Sequence, residues 1–155
     1  MLLSNGYATG YNMKRVEGRA KFAAEAIEEL RERTGSTSVV VHGNSGVSCG
    51  FAALMMTKEE DFNLVLLRKD NDNSHGSPIE GPDGHRLGKY LILDDFVSSG
   101  ATMNRIRDKI DTLYGQVPWS SPRPECVGIV LYGYHRTDSF SFNDGYTVPV
   151  LSMER

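Results

Sequence analysis

Cysteine is scarce in this chain. Only Cys49 and Cys126 occur, both beside apolar stretches. One disulfide is open to them, but two buried free thiols in a reducing compartment fit better. Long apolar runs are missing too, since nothing approaches the roughly 18 residues that a membrane span needs. The start, Met1-Leu2-Leu3-Ser4-Asn5-Gly6, lacks the basic residues and apolar core of a signal peptide. Positive charge is not in excess, because 17 Lys and Arg against 20 Asp and Glu leave a net charge of −3. A partner with a phosphate backbone ordinarily goes with a basic surplus. No Cys/His spacing resembles a zinc site, and no Gly-Lys-Ser/Thr closes a Walker loop. These absences predict a cytoplasmic protein with neither a membrane nor a nucleic acid as partner.

What is present is the pattern of one globular domain spanning 1–155. Its 155 residues, 39% apolar and 24% charged, suffice for one proper core. Val16, Ala20, Ala23, Ile27 and Leu30 recur at helical spacing, which predicts a helix from about Met13 to Arg33 that stops at Gly35. A strand over Ser36 to His42 follows, then the interruption Gly43-Asn44-Ser45-Gly46, then a helix from Val47 to about Lys58. Leu64 to Leu67 reads as a second strand and Tyr90 to Leu93 as a third. Between them Asp70 to Lys89 is a long polar loop, of a length often found in functional lids. A helix from about Ser99 to Gly115 presents Met103, Ile106, Ile110 and Leu113 inward. Val127 to Leu131 makes a fourth strand, and Tyr132 to Arg155 reads as aromatic and irregular.

The strands are continuous apolar runs, so both faces of the sheet should be covered. Strands separated by helices predict an α/β fold, a doubly wound, mainly parallel sheet of four to five strands flanked by helices. In such sheets ligands sit outside the carboxyl ends of the strands.

The segment that carries chemistry there is Leu91-Ile92-Leu93-Asp94-Asp95-Phe96-Val97-Ser98-Ser99-Gly100-Ala101-Thr102. A buried strand ends in two carboxylates, and a turn of small residues then opens a helix. Three hydroxyls and the exposed amides of a helix N-terminus suit a phosphate. An isolated Asp-Asp is more readily an electrostatic cap for the next helix. Attached to this strand and this turn, it fits vicinal hydroxyls or a hydrated magnesium ion. On a regular strand the two side chains face opposite ways, so a shared ligand requires a bend between them.

The strand and Asp94 to Thr102 resemble the phosphoribosyl-pyrophosphate signature of type I phosphoribosyltransferases, position by position over about a dozen residues. The resemblance covers roughly Val39 to Val130 and is nearest in style to the orotate or adenine enzymes. It implies that Asp94 and Asp95 hold the ribose hydroxyls and Mg²⁺, directly or through water, and that Ser98, Ser99, Gly100, Ala101 and Thr102 hold the 5′-phosphate. It further implies a pyrophosphate loop at Gly43, Asn44, Ser45 and Gly46, with Arg68 and Lys69 on the same group. His75, in the long loop, would be the acid. A hood from the chain ends and a homodimer also follow from the resemblance.

Three departures matter. Ser45 stands where many relatives carry Lys or Arg. Asp70 to Ser74 lacks the second lysine of the orotate enzymes and is one residue longer. Ser98 replaces the Asp that assists the 6-oxopurine enzymes, which turns the expectation away from hypoxanthine and guanine. Tyr134, His135 and Arg136, just past the fourth strand, are candidates for base recognition, and equally a surface group. His42, at the end of an apolar strand, reads as a structural residue. Two functions stay open: transfer of phosphoribosyl to a nitrogen of a small nucleobase, or a regulator of the same fold that binds phosphoribosyl pyrophosphate or a nucleotide without turning it over.

Overall fold

The computed structural model describes residues 13–58, 62–68, 78–81, 87–95, 97–115 and 123–153. In chain order they form α1 (Met13–Thr34), β1 (Ser38–His42), α2 (Gly43–Met56), β2 (Asn63–Leu67), β3 (Ile79–Glu80), β4 (Lys89–Asp94), α3 (Ala101–Gly115), β5 (Glu125–Tyr134), β6 (Ser139–Ser141) and β7 (Thr147–Met153). The strands join in one sheet of order β3-β2-β1-β4-β5-β7-β6. From β2 through β7 the pairings are parallel, while β3 and β6 close the two edges antiparallel.

Periodicity explains the layers. Alternate residues of the central strands enter opposite cores. Val39, Val41, Leu91 and Leu93 meet Ala23, Ile27 and Leu30 of α1 and Ala53 of α2. Val40, Tyr90, Ile92, Ile129 and Leu131 meet Met103, Ile106 and Ile110 of α3. All of these are nearly or wholly inaccessible, which is why the strands read as unbroken apolar runs. A register shift lies between Tyr90 and Leu91, opposite Cys126 and Gly128. Beyond it Gly128 lies under Leu30, where a Cβ would come within 2.9 Å of Leu30 Cδ1.

The doubly wound α/β architecture holds, with more strands than expected: seven among the described residues. The extra ones come from stretches read as loops. Ile79–Glu80 pairs with Leu66 and Leu67 inside the polar segment, where two residues are too few to show a period. The tail is likewise not irregular. Phe142 N–H donates to Tyr146 O and Gly145 N–H to Phe142 O, and Gly145 has φ 84°, which makes a tight hairpin between β6 and β7. The Asp144-Gly145 pair is a hairpin signal, but Pro149 in the following run argues against a central strand. Pro149 is tolerated because pairing with β5 begins at Val150. No helix among the described residues is long and apolar enough to cross a membrane.

Candidate functional site

From β1 the chain winds through α2 to β2, and from β4 through α3 to β5 on the other side. Because parallel crossovers share one hand, the two helices fall on opposite faces and a crevice opens between the carboxyl ends of β1 and β4. Both sequence motifs stand at this crevice. Their meeting is visible at Gly46, where a Cβ would lie 3.3 Å from Val41 Cβ and 3.8 Å from Leu93 O.

Asp94 is the last residue of β4, and the chain bends at Asp95. Asp94 Oδ1 accepts the Asp95 N–H at 2.9 Å, and Asp95 O accepts the Gly133 N–H at 2.8 Å. The bend is thus held by the side chain of one carboxylate and by β5. Both residues are half-buried. Past Val97 come the exposed Ser98 and Ser99, then the buried Gly100 with φ 77°. That left-handed conformation favours glycine. Ser99 Oγ accepts the Ala101 N–H at 3.3 Å, and Gly100 O accepts the Asn104 N–H at 3.1 Å, the first bond of α3. First-turn amides of a helix have no acceptor within it, so this end of α3 offers donors and a positive dipole to an anion.

Gly43 to Gly46 is not an interruption before a helix, as the sequence suggested. It is the first turn of α2, entered through Gly43 at φ 76° directly from His42. Two glycines weaken helix propensity, but packing against the ends of β1 and β4 overrides it. His42 itself is half-buried at the end of β1. Arg68 follows β2 on the same sheet edge. Its guanidinium is ion-paired with Glu80 of β3, and its carbonyl accepts from Lys109 Nζ at 2.7 Å. Lys109, a cation that sequence reading passed over, is brought there by α3. Lys69 and His75 lie outside the described residues.

Tyr134, His135 and Arg136 line an open cleft of about 1010 Å³, together with Asp138 and the end of β7 from Val150 to Met153. Ser152 Oγ donates to His135 O at 2.8 Å, tying the two walls together. Because Gly133 bonds to Asp95, the cleft begins next to the acidic pair. Asp138 and Ser152 were missed with the rest of the tail. Among the described residues no three His, Cys, Asp or Glu side chains gather to hold a metal. Two carboxylates do fit magnesium, which keeps several waters and takes further oxygens from a substrate's phosphates.

An acidic pair at a bend, a left-handed glycine and a helix N-terminus thus meet at the switch point of the sheet. No family model matches the chain, and no curated protein matches it in sequence. Solved structures do. The orotate phosphoribosyltransferase of Francisella tularensis superposes with TM-score 0.64 at 15% identity, over 94% of this chain and 68% of that one. Similar too are a phosphoribosyltransferase of Corynebacterium diphtheriae (0.53, 17%, 72% and 63%) and the UMP synthase of Leishmania donovani (0.55, 18%, 79% and 23%).

This chain has the type I phosphoribosyltransferase fold. Its sheet continues past β5 through β7 to β6, and the chain spans about two thirds of the Francisella and Corynebacterium proteins' length and less than a quarter of the Leishmania one.

Proposed function

We propose that the chain is a phosphoribosyltransferase that binds 5-phosphoribosyl 1-pyrophosphate and transfers its phosphoribosyl group to a ring nitrogen of a small nucleobase. The carrying observation is the Asp94-Asp95 bend beside the Ser98–Thr102 turn at the switch point. In this reading Asp94 and Asp95 receive the ribose hydroxyls, and Ser98 to Thr102 the 5′-phosphate. Gly43 to Gly46 and the Arg68-Lys69 pair receive the pyrophosphate. The bond from C1′ to the pyrophosphate oxygen breaks with its electrons on pyrophosphate, and a bond from C1′ to the ring nitrogen forms as that nitrogen's proton leaves to solvent or to the pyrophosphate. Cations near the leaving group stabilise the charge that gathers on it. Mg²⁺, held by Asp94 and Asp95 with substrate oxygens and water, would neutralise the same charge.

The cleft of Tyr134, His135 and Arg136 is the place for the base, which we read as orotate-like or adenine-like, with a tyrosine ring for stacking and a guanidinium for an acidic substituent. His75 is the proposed acid. A single domain acting as a cytoplasmic homodimer completes this reading. A second reading, a binding protein without turnover, is favoured by one observation: Arg68 is engaged by Glu80.

The test titrates phosphoribosyl pyrophosphate with Mg²⁺ into the wild type and into Asp94→Asn/Asp95→Asn, then follows pyrophosphate release with orotate, adenine and other bases. Binding lost in the variant, with release for one base, supports the enzyme. Binding without release for any base supports the regulator. Absence of binding by the wild type sinks both.

A further inference from the structure

The turn read above as the 5′-phosphate loop is held from outside by the β6–β7 hairpin. Two contacts do this. Asn104, on the first turn of α3, donates from Nδ2 to Gly100 O at 3.0 Å and accepts the Asn143 N–H on Oδ1 at 2.8 Å. One amide therefore bridges the turn's last carbonyl and the tip of the hairpin. Phe140 of β6 lies over Gly100, so closely that a Cβ there would be 2.9 and 3.0 Å from its Cε2 and Cζ. Further along α3, Arg107 forms a two-pronged ion pair with Asp144 and stacks over the Phe142 and Tyr146 rings, at 4.6 and 5.0 Å. The hairpin and α3 are thus tied together, and the side chains of Asn104 and Phe140 both reach Gly100 of the turn.

We infer that Asn104 and Phe140 are positioning residues for the 5′-phosphate: they hold Gly100 in its left-handed conformation and aim the first amides of α3, without themselves touching the ligand. The inference rests on the phosphoribosyltransferase reading and adds to it two residues remote from the signature. The chemistry supports the assignment. An anion at a helix N-terminus is bound by amide direction, and direction is lost when the preceding turn is free to rotate. Phosphate and pyrophosphate ends of the substrate lie at different loops in this reading. The effect of the two residues should therefore be confined to one end.

The experiment measures binding of ribose 5-phosphate and of inorganic pyrophosphate, the latter with Mg²⁺, to the wild type, Asn104→Ala and Phe140→Leu, with a thermal melt of each. Asn104→Ala exchanges a half-buried helix residue for the best helix former, so it keeps the fold. Each variant should lose affinity for ribose 5-phosphate about fivefold or more, the equilibrium equivalent of one net hydrogen bond. Affinity for pyrophosphate should stay within twofold. Equal losses for both ligands would mark a general structural role and overturn the inference, as would unchanged binding of ribose 5-phosphate. A wild type that binds neither ligand overturns the functional reading itself, and this inference with it.

Discussion

Gly100→Ala is the sharpest test of the turn's geometry. At φ 77° a residue with a Cβ is strained by about 1–2 kcal/mol. The new methyl would also stand 2.9 Å from Phe140 Cε2 and 3.0 Å from Cζ, well inside ordinary contact. Phe140 cannot simply swing away, because its ring packs edge-on against Phe142 with centroids 5.0 Å apart. Overpacking of this kind costs about 1–3 kcal/mol. Together the two effects come to about 2–5 kcal/mol, and at about 2–4 °C per kcal/mol the midpoint of thermal unfolding should fall by roughly 4–20 °C. The assay is a double-mutant cycle by chemical denaturation. With Phe140→Ala in place the steric part vanishes and only the backbone strain of about 1–2 kcal/mol remains. A cost below about 0.5 kcal/mol for Gly100→Ala, within the range of ordinary surface substitutions, would refute the reasoning. So would a cost that is the same in both backgrounds.

Burial pushes the thiols of Cys49 and Cys126 up to about 12 from an ordinary 9.0. Burial also pushes the Tyr90 phenol up. Groups whose pKa is raised on folding stabilise fully below the unfolded value and lose that contribution as pH rises toward the folded one. Stability measured by urea should therefore decline from about pH 9 upward, and Cys126→Ala should flatten the decline; an unchanged slope in that variant would contradict it. Gly128→Ala drives a methyl to 2.9 Å from Leu30 Cδ1 and 3.1 Å from Leu91 Cδ2, so a loss of about 1–3 kcal/mol in a denaturant titration is expected. Arg107→Ala removes a cation from two aromatic faces, each worth about 0.5–1 kcal/mol at an exposed site. Arg107→Lys should restore little of the midpoint, because an ammonium cannot match the planar fork that meets both Asp144 oxygens.

Much of the fold is written in local pattern. The spacing of Ala20, Ala23, Ile27 and Leu30 determined which face of α1 is buried, and those residues are indeed inaccessible. The apolar runs of β1, β4 and β5 determined that both faces of the sheet would be covered. The succession of strand, acid pair, left-handed glycine and helix from Leu91 to Thr102 was legible because its parts follow one another without a gap in the chain. Backbone chemistry operates over such short distances, so neighbouring residues suffice to reveal it.

Other features depend on residues far apart in sequence, and only the tertiary structure decided them. Pairing partners determined that Ile79–Glu80 and Thr147–Met153 are strands, since neither a two-residue run nor one holding Pro149 declares itself alone. Contact with Val41 and Leu93 turned Gly43 to Gly46 into the first turn of a helix against its own propensity. Arg68's engagement with Glu80, Lys109's reach to Arg68 and Asn104's bridge to Asn143 each join segments 12 to 41 positions apart. No spacing in the chain encodes them. They exist because burying two apolar faces of one sheet leaves few arrangements for its edges, and the polar groups at those edges then pair with whatever the packing has brought near.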